Sequence, residues 1–189
     1  MRVVAGELKG RRIEAPAGDR TRPTTDKVRE AVFNALGSLE VIEGATFLDL
    51  FAGTGAMGIE ALSRGAAHCT FVENDRSALG ILRRNLDVLG VTERATVVAS
   101  DALAAARLHG RVDVLVADPP YGDIDWVGLL SGAEVSLAVL ESGMPIDAIA
   151  GWDTVREKRY GRAHVAFLRP QRAPGTPNGA SPDGTVECE

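Results

Sequence analysis

The chain has 189 residues, 45% of them hydrophobic and 25% charged, so it is long enough to bury one sizeable core. No apolar run is long enough to cross a bilayer, and residues 1–10 lack the apolar core of a secretory signal, so we expect a soluble, cytoplasmic protein. The two cysteines, Cys69 and Cys188, have neither a metal-ligand spacing nor the pattern of a disulfide framework, and we predict no metal.

The formal charge of −5 is spread unevenly along the sequence. Residues 1–29 contain eight basic and four acidic side chains, which leaves a net charge of −9 on the remainder. A basic segment on an acidic body is typical of a protein that meets a polyanion through one face. A solvated surface strand explains the charge equally well.

The first segment predicts two local elements. Arg2–Ala5 and Arg11–Ile13 are short β-prone runs separated by glycines and predict a small basic hairpin. A loop follows over residues 15–25. From Asp26 onward, apolar residues at helical spacing predict an amphipathic helix that ends at Gly37.

The following body alternates strand and helix patterns. This order predicts an α/β fold, with a mostly parallel Rossmann-like sheet covered by helices on both faces. Two runs that face each other across Gly161-Arg162 predict an antiparallel hairpin that closes the seven-stranded sheet. The predicted strands are Thr46–Phe51, His68–Glu73, Ala95–Ser100, Val112–Ala117, Val135–Leu140, Thr154–Tyr160 and Ala163–Leu168, and the predicted helices of the body are Gly58–Ser63 and Arg76–Leu89.

Three segments follow from these patterns. A basic N-terminal arm covers residues 1–25, the main domain covers 26–169, and a tail covers 170–189. The tail combines proline and glycine with polar residues, which cannot repay the entropy of ordering, so we predict that it is disordered.

A glycine-rich turn joins the first strand of the body directly to a helix. Within Leu48–Gly58, glycines allow a tight turn whose backbone a polar ligand can approach. The glycine spacing alone is shared with nicotinamide and flavin proteins. The carboxylate of Asp49 suits an ammonium or a sulfonium rather than a pyrophosphate, which favours S-adenosylmethionine. The loop residues assigned to this cofactor are Phe51, Gly53, Thr54 and Gly55.

Acidic residues end the next two strands. Glu73 lies about twenty residues after the glycines, where a carboxylate accepts hydrogen bonds from both ribose hydroxyls of a nucleotide-like ligand. Asp101 follows the third strand, and together with Ala102 it is a candidate contact for the adenine ring. The alternative is that Asp101 caps a helix beginning at Ala102.

The segment Asp118-Pro119-Pro120-Tyr121 is the most specific motif of the chain. The exocyclic amino group of a nucleobase is a poor nucleophile, because its lone pair is delocalised into the ring. The Asp118 carboxylate and the Pro119 carbonyl can accept hydrogen bonds from that group and draw it toward tetrahedral geometry, with the prolines fixing the backbone. Tyr121 can stack on a base that is unpaired or extruded, and Asp118 also borders the cofactor. A strand that simply ends in a proline turn is the structural alternative.

With these motifs, residues 2–168 resemble the bacterial 16S ribosomal RNA guanine-N2 methyltransferases, the family that acts on guanine 966 of that RNA. Arg22–Glu30 is similar to the family's N-terminal signature, while Leu48–Gly58 and Asp118–Tyr121 resemble its cofactor and catalytic motifs. The resemblance implies a class I methyltransferase fold, S-adenosylmethionine as donor, and 16S rRNA in the small ribosomal subunit or its assembly intermediate as partner. It also implies RNA contact by the basic arm, for which the candidates are Lys9, Arg11, Arg12, Arg20, Arg22, Lys27 and Arg29.

Other activities explain parts of the pattern. An adenine-N6 nucleic-acid methyltransferase would use the same chemistry, and only Arg22–Glu30 favours guanine. A protein-glutamine methyltransferase would resemble Asn-Pro-Pro-Tyr and lack a basic arm. A nicotinamide-dependent dehydrogenase explains the glycines and Glu73, but it leaves Asp49 and Asp118–Tyr121 without a role. A binding module without catalysis is the remaining alternative.

Overall fold

The computed structural model describes residues 1–15, 26–108, 110–120 and 124–171. The strands are β1 (Thr46–Leu50), β2 (His68–Glu73), β3 (Ala95–Ala99), β4 (Val112–Ala117), β5 (Val135–Ser142), β6 (Trp152–Tyr160) and β7 (Ala163–Pro170). The helices are α1 (Asp26–Ser38), α2 (Ala56–Ser63), α3 (Arg76–Leu89), α4 (Ala102–Leu108) and α5 (Trp126–Ser131). None of the helices in these ranges is both long and apolar enough to cross a membrane.

The strands form one sheet in the order β3-β2-β1-β4-β5-β7-β6. The first five strands in chain order pair in parallel, whereas β7 runs antiparallel to both β5 and β6. The predicted α/β sheet with a terminal antiparallel hairpin is therefore confirmed. The five parallel strands all end at one side of the sheet, which we call the carboxyl edge. A crevice is expected there between β1 and β4, where the strand order reverses.

Two hydrophobic clusters cover the two faces of the sheet. One face, called the α1 face, packs residues such as Phe33, Ile59 and Leu82 from α1, α2 and α3 against the strands. The other, called the α5 face, packs α4 and α5 through residues such as Ala106 and Leu129. Burial on both faces explains why the central strands β1, β2, β4 and β5 are largely apolar.

The N-terminal residues form the predicted hairpin, reduced to a single antiparallel bridge between Arg2 and Arg12. It packs on the α1 face, where Val3, Leu8 and Ile13 are buried in the same cluster as α1 and α2. Residues 1–15 are thus packed against the main domain. The rest of the predicted arm, 16–25, lies outside the described residues.

A buried ionic group joins the hairpin to α1 and α2. Glu60, fully buried on α2, accepts hydrogen bonds from the backbone N–H groups of Val4 at 2.8 Å and Ala5 at 3.0 Å. The same carboxylate contacts the guanidinium of Arg29 at 3.4 Å and that of Arg64 at 2.8 Å. Glu60 therefore holds three segments of the chain together.

Helix α4 was not among the predicted elements, except as the alternative in which Asp101 caps a helix. The structure shows that cap, because Asp101 Oδ1 accepts hydrogen bonds from Leu103 N at 2.9 Å and Ala104 N at 3.2 Å. The segment Ala102–Leu108 consists largely of alanine and leucine. These are strong helix formers, but they give little contrast between an apolar and a polar face.

Seven predicted ends differ from the structure by one or two residues. Strands β1 and β3 end one residue early, at Leu50 and Ala99, whereas β5 continues to Ser142 and β6 begins at Trp152. Helix α2 begins at Ala56, ahead of the predicted start at Gly58, and α1 continues one residue past Gly37. Strand β7 extends to Pro170, which pairs with Trp152, so the first residue of the predicted tail belongs to the sheet. Residues 172–189 lie outside the described residues, and disorder there stays a prediction.

Candidate active site

Each of the five parallel strands places an acidic residue at the carboxyl edge. In spatial order along the sheet these residues are Asp101 after β3, Glu73 in β2, Asp49 in β1, Asp118 after β4 and Glu141 in β5. The structure thus places the four acidic residues assigned from the sequence on neighbouring strands. A row of carboxylates attracts a cationic ligand and repels a phosphate.

Asp49 is buried in β1 and holds the glycine-rich loop. Its Oδ2 accepts a hydrogen bond from Gly58 N at 2.8 Å. Burial raises the pKa of Asp49 to about 7; the Gly58 hydrogen bond opposes this shift, and the nearby carboxylates of Asp118 and Glu73 add to it. A carboxyl group with this pKa becomes ionised when a positive charge arrives beside it. The arrangement fits the ammonium and sulfonium of S-adenosylmethionine and does not fit the pyrophosphate of a dinucleotide.

This pKa predicts a pH dependence of cofactor affinity. In the free protein Asp49 is protonated below about pH 7, so binding of a cation must release a proton there. We expect the affinity for S-adenosylmethionine to rise with pH up to about 7 and then to level off, because the ionised carboxylate is the binding form. Calorimetric titrations across this range test the slope, with Asp49→Asn as the control that should remove it. An affinity that does not change with pH in the wild-type chain would contradict the assignment.

The glycines of the loop have two different tasks. A Cβ on Gly55 would lie 2.5 Å from Leu82 Cδ1, and one on Gly58 would lie 2.2 Å from Phe71 Cε1, so both positions are needed for close packing of α2. A Cβ on Gly53 would meet nothing closer than 3.9 Å, which leaves space for a ligand above it. Phe51 adopts a φ of 62°, unusual for a residue with a side chain. Such strain is often found at functional sites.

Glu73 is already engaged with backbone groups. Its Oε2 accepts from Gly53 N at 2.7 Å, and its Oε1 accepts from Asn74 N at 2.9 Å and Asp75 N at 2.8 Å. A carboxylate offers about four acceptor positions. Glu73 therefore has room for one ribose hydroxyl, and a second would have to replace one of these bonds.

Asn85 is a residue of this site that the sequence did not indicate. It is buried in α3, and its Nδ2 donates to Thr54 O at 2.9 Å and to Glu14 O at 3.1 Å, while its Oδ1 accepts from Glu14 N at 2.8 Å. This side chain fixes the glycine-rich loop to the end of the hairpin. An isolated asparagine in an amphipathic helix belongs to no motif, so its sequence context gave no signal.

The remaining cofactor candidates lie at the start of α4. Asp101 uses Oδ1 as the helix cap described above. The Ala102 side chain is buried in the cluster of the α5 face, so any contact with a ligand would come from its backbone.

The catalytic motif leaves β4 at the centre of the carboxyl edge. Asp118 is half-buried, Pro119 is buried and Pro120 is exposed, whereas Tyr121 lies outside the described residues and its stacking role stays a prediction. Asp118 and Glu141 border a narrow cavity of about 10 Å³. This cavity is too small to hold a base.

Glu141 is a second residue that the sequence did not single out. Ala117 pairs with Leu140, so Asp118 and Glu141 occupy the next positions on adjacent parallel strands. Asp118 comes two residues after Val116, and Glu141 comes two residues after Val139. Since both valines pack on the α1 face and side chains alternate along a strand, the two carboxylates lie on that face as well. The predicted strand ended at Leu140, which left this carboxylate outside the candidate site.

The basic candidates for RNA contact separate into two groups. Lys9, Arg11, Arg12 and Lys27 are exposed, although Arg11 Nη2 also donates to Val88 O at 2.7 Å. Assignment of Arg29 to RNA contact is wrong for this structure, because the side chain is 0% exposed and its guanidinium binds Asp26 and Glu60. The candidates Arg20 and Arg22 lie outside the described residues.

The sheet order, the loop after β1 and the motif after β4 together define a class I methyltransferase fold. A solved structure from Escherichia coli, described as a candidate methyltransferase yhhF, superposes with a TM-score of 0.80 at 33% identity, covering 92% of this chain and 99% of that chain. A candidate RNA methyltransferase from Pyrococcus horikoshii, PH1948, gives a TM-score of 0.69 at 19% identity over 84% of this chain and 93% of its own, which shows the fold alone.

The chain belongs to the family described as conserved hypothetical protein 95, whose match covers residues 1–169. It is 45% identical over 183 residues to YlbH of Bacillus subtilis, named as a candidate rRNA methyltransferase, across 89% of this chain and 98% of that protein. It is 38% identical over 184 residues to ribosomal RNA small subunit methyltransferase D of Escherichia coli K12, across 91% of this chain and 90% of that protein. The family resemblance predicted from the sequence is confirmed.

Proposed function

We propose that this chain transfers a methyl group from S-adenosylmethionine to the exocyclic N2 of a guanine in 16S rRNA, acting in the cytoplasm on the small ribosomal subunit or its assembly intermediate. The observation that carries the proposal is the adjacency of two sites. The Asp118-Pro119 motif leaves β4 beside β1, whose Asp49 and following glycine loop fit a cationic cofactor. The names of the relatives support rRNA as the substrate class.

The cofactor supplies a methyl group bonded to a positively charged sulfur. The Asp118 carboxylate and the Pro119 carbonyl accept hydrogen bonds from the two hydrogens of the amino group, which directs its lone pair toward that methyl group. Transfer would form a nitrogen–carbon bond and break the carbon–sulfur bond of the donor. The nitrogen then loses one proton, either to Asp118 or to solvent.

The position of Glu141 favours guanine over adenine. The Watson–Crick edge of guanine presents two neighbouring donors, N1–H and the N2 amino group, whereas adenine presents an amino group beside an N1 acceptor. Two adjacent carboxylates, Asp118 and Glu141, complement the first pattern and repel the second. A site built to receive a donor rejects a base that lacks it, because a buried polar group is left without its partner.

Recognition of guanine N1–H by Glu141 predicts a change of base preference in Glu141→Gln. The base 2,6-diaminopurine keeps the N2 amino group but has an acceptor at N1. The wild-type chain should therefore strongly prefer RNA with guanine at the target position over otherwise identical RNA with 2,6-diaminopurine there. The glutamine amide can donate to that acceptor, and we expect the preference for guanine to fall by at least about tenfold, within the usual range for one hydrogen-bonding pair. Glu134→Gln, at the opposite end of β5, is the matched control. An unchanged preference in Glu141→Gln would remove Glu141 from base recognition.

A genetic experiment tests the proposed function in cells. Cells that lack the gene should yield small-subunit RNA in which one N2-methylguanosine is missing, and expression of the wild-type chain should restore it. If the missing modification were an N6-methyladenosine, the adenine alternative would be supported instead. An unchanged set of rRNA modifications would contradict the proposal.

A further inference from the structure

The outermost strand, β6, carries an exposed basic surface. All residues from Asp153 to Arg159 are exposed. Between Trp152 and Gln171 there are five basic residues and only two acidic ones, although the chain as a whole is acidic. The β6 patch is defined here as the basic residues of β6 and its turn, namely Arg156, Lys158, Arg159 and Arg162.

The turn between β6 and β7 lies at the carboxyl edge. Ser142, the last residue of β5, pairs with His164 near the start of β7, and Tyr160 at the end of β6 pairs with Ala163. The end of β6 is therefore level with the ends of the parallel strands. Since β6 is three strands away from β4, the patch is about 14 Å from the catalytic motif across the sheet.

Two members of the patch face the same side as the catalytic carboxylates. Arg156 is opposite Phe167 and Lys158 is opposite Val165, and directly opposed residues of an antiparallel pair share a face. Both partners belong to the cluster of the α1 face. Lys158 Nζ also lies 5.9 Å from the centre of the Tyr160 ring, so the end of β6 combines positive charge with an aromatic surface. This combination is typical of surfaces that bind single-stranded nucleic acid.

In the described part of the chain, the positive charges of the patch are not neutralised by acidic partners. No ion pair within the described ranges involves any of its four residues. Arg159 Nε donates to Gly161 O within the turn at 2.9 Å, and Arg2 and Arg11 of the N-terminal hairpin likewise donate to backbone carbonyls. Charged residues on an edge strand also prevent pairing with other chains. Charges at either end of β6 would prevent such pairing, so this role does not explain why the basic residues cluster near the carboxyl edge.

We infer that the β6 patch binds RNA phosphates on the side of the catalytic motif opposite the N-terminal hairpin. The hairpin packs on α2 and α3, over the half of the sheet that contains β1 and β2, while the patch belongs to the far end of the other half. The RNA is thus held on both sides of Asp118, and the target base enters between the two contacts. The inference rests on the proposed function for the identity of the ligand as substrate RNA.

The double variant Lys158→Ala, Arg162→Ala tests this inference. Binding of 16S rRNA transcribed in vitro would be measured by filter retention at several salt concentrations, with S-adenosylhomocysteine present. Loss of two phosphate contacts should weaken binding by at least tenfold and reduce the slope of log affinity against log salt by about 1.5. In methyl transfer the KM for RNA should rise, while kcat at saturating RNA and the affinity for cofactor stay unchanged.

Arg169→Ala is the matched control, because Arg169 belongs to the same hairpin but lies at the opposite edge, beside a groove of about 420 Å³ lined by Glu40 and Asp113. Its RNA affinity and salt slope should equal those of the wild type. An unchanged slope in the double variant, or an equal change in Arg169→Ala, would overturn the inference. If the wild-type chain binds 16S rRNA through the patch but methylates no RNA, only the proposed function fails. If the wild type binds neither 16S rRNA nor small ribosomal subunits, both fail.

Discussion

Replacement of Asp118 by alanine is expected to lower turnover by about 10³-fold or more, while the affinity for S-adenosylmethionine changes by less than about tenfold. The variant loses a hydrogen-bond acceptor that directs the amino group, and the Pro119 carbonyl alone cannot fix its orientation. In the proposed site the loop after β1 makes most of the contacts to the cofactor, and this change leaves the hydrogen bonds of that loop in place. Single-turnover methyl transfer and calorimetric binding measure the two effects separately.

Two controls sharpen this experiment. Asp118→Asn keeps one acceptor oxygen and should retain more activity than Asp118→Ala. Asp113 lies at the other end of β4, where hydrogen bonds from Thr46 lower the pKa of its carboxyl group. Asp113→Ala should therefore leave turnover unchanged. Near-normal turnover in Asp118→Ala would remove the motif from the mechanism.

Replacement of Glu60 by alanine is expected to lower the free energy of unfolding by about 3–5 kcal/mol. The change leaves the fully buried guanidinium of Arg29 without its buried carboxylate and removes the acceptor for two backbone N–H groups of the N-terminal hairpin. Urea unfolding followed by circular dichroism measures this loss.

Glu7→Ala provides the comparison for Glu60→Ala. Glu7 pairs with Arg94 on the surface, where solvent screens the charges, and its loss should cost no more than about 1 kcal/mol. If Glu60→Ala were no more destabilising than Glu7→Ala, the buried ionic group would not be what holds the hairpin to α1 and α2.

The sequence predicted the fold best where signals at both ends of an element agreed. Helix α3 has the predicted bounds because Asp75 caps its start through Ala78 N and Gly90 ends it with a positive φ. Helix α4 was not predicted, since its alanines give no periodic contrast. The arrangement of the strands followed from the alternation of elements, because parallel strands need helical crossovers between them.

The sequence predicted those site residues that are acidic and lie at or near the end of a predicted strand. Asp49, Glu73 and Asp118 all lie at the carboxyl edge. Asn85 and Glu141 act through neighbours that are distant in sequence, so no local pattern could indicate them. Arg29 shows the opposite error, because a basic charge in a basic segment does not reveal that a buried glutamate is its partner.

The most direct test of the central claim is methyl transfer from labelled S-adenosylmethionine to small ribosomal subunits that lack native modifications, followed by nucleoside analysis of the RNA. We expect label in N2-methylguanosine with the wild-type chain and none with Asp118→Ala. Label in N6-methyladenosine would keep the chemistry but contradict the assigned base. Absence of label from RNA, in a chain that binds the cofactor, would contradict the claim that this protein methylates rRNA.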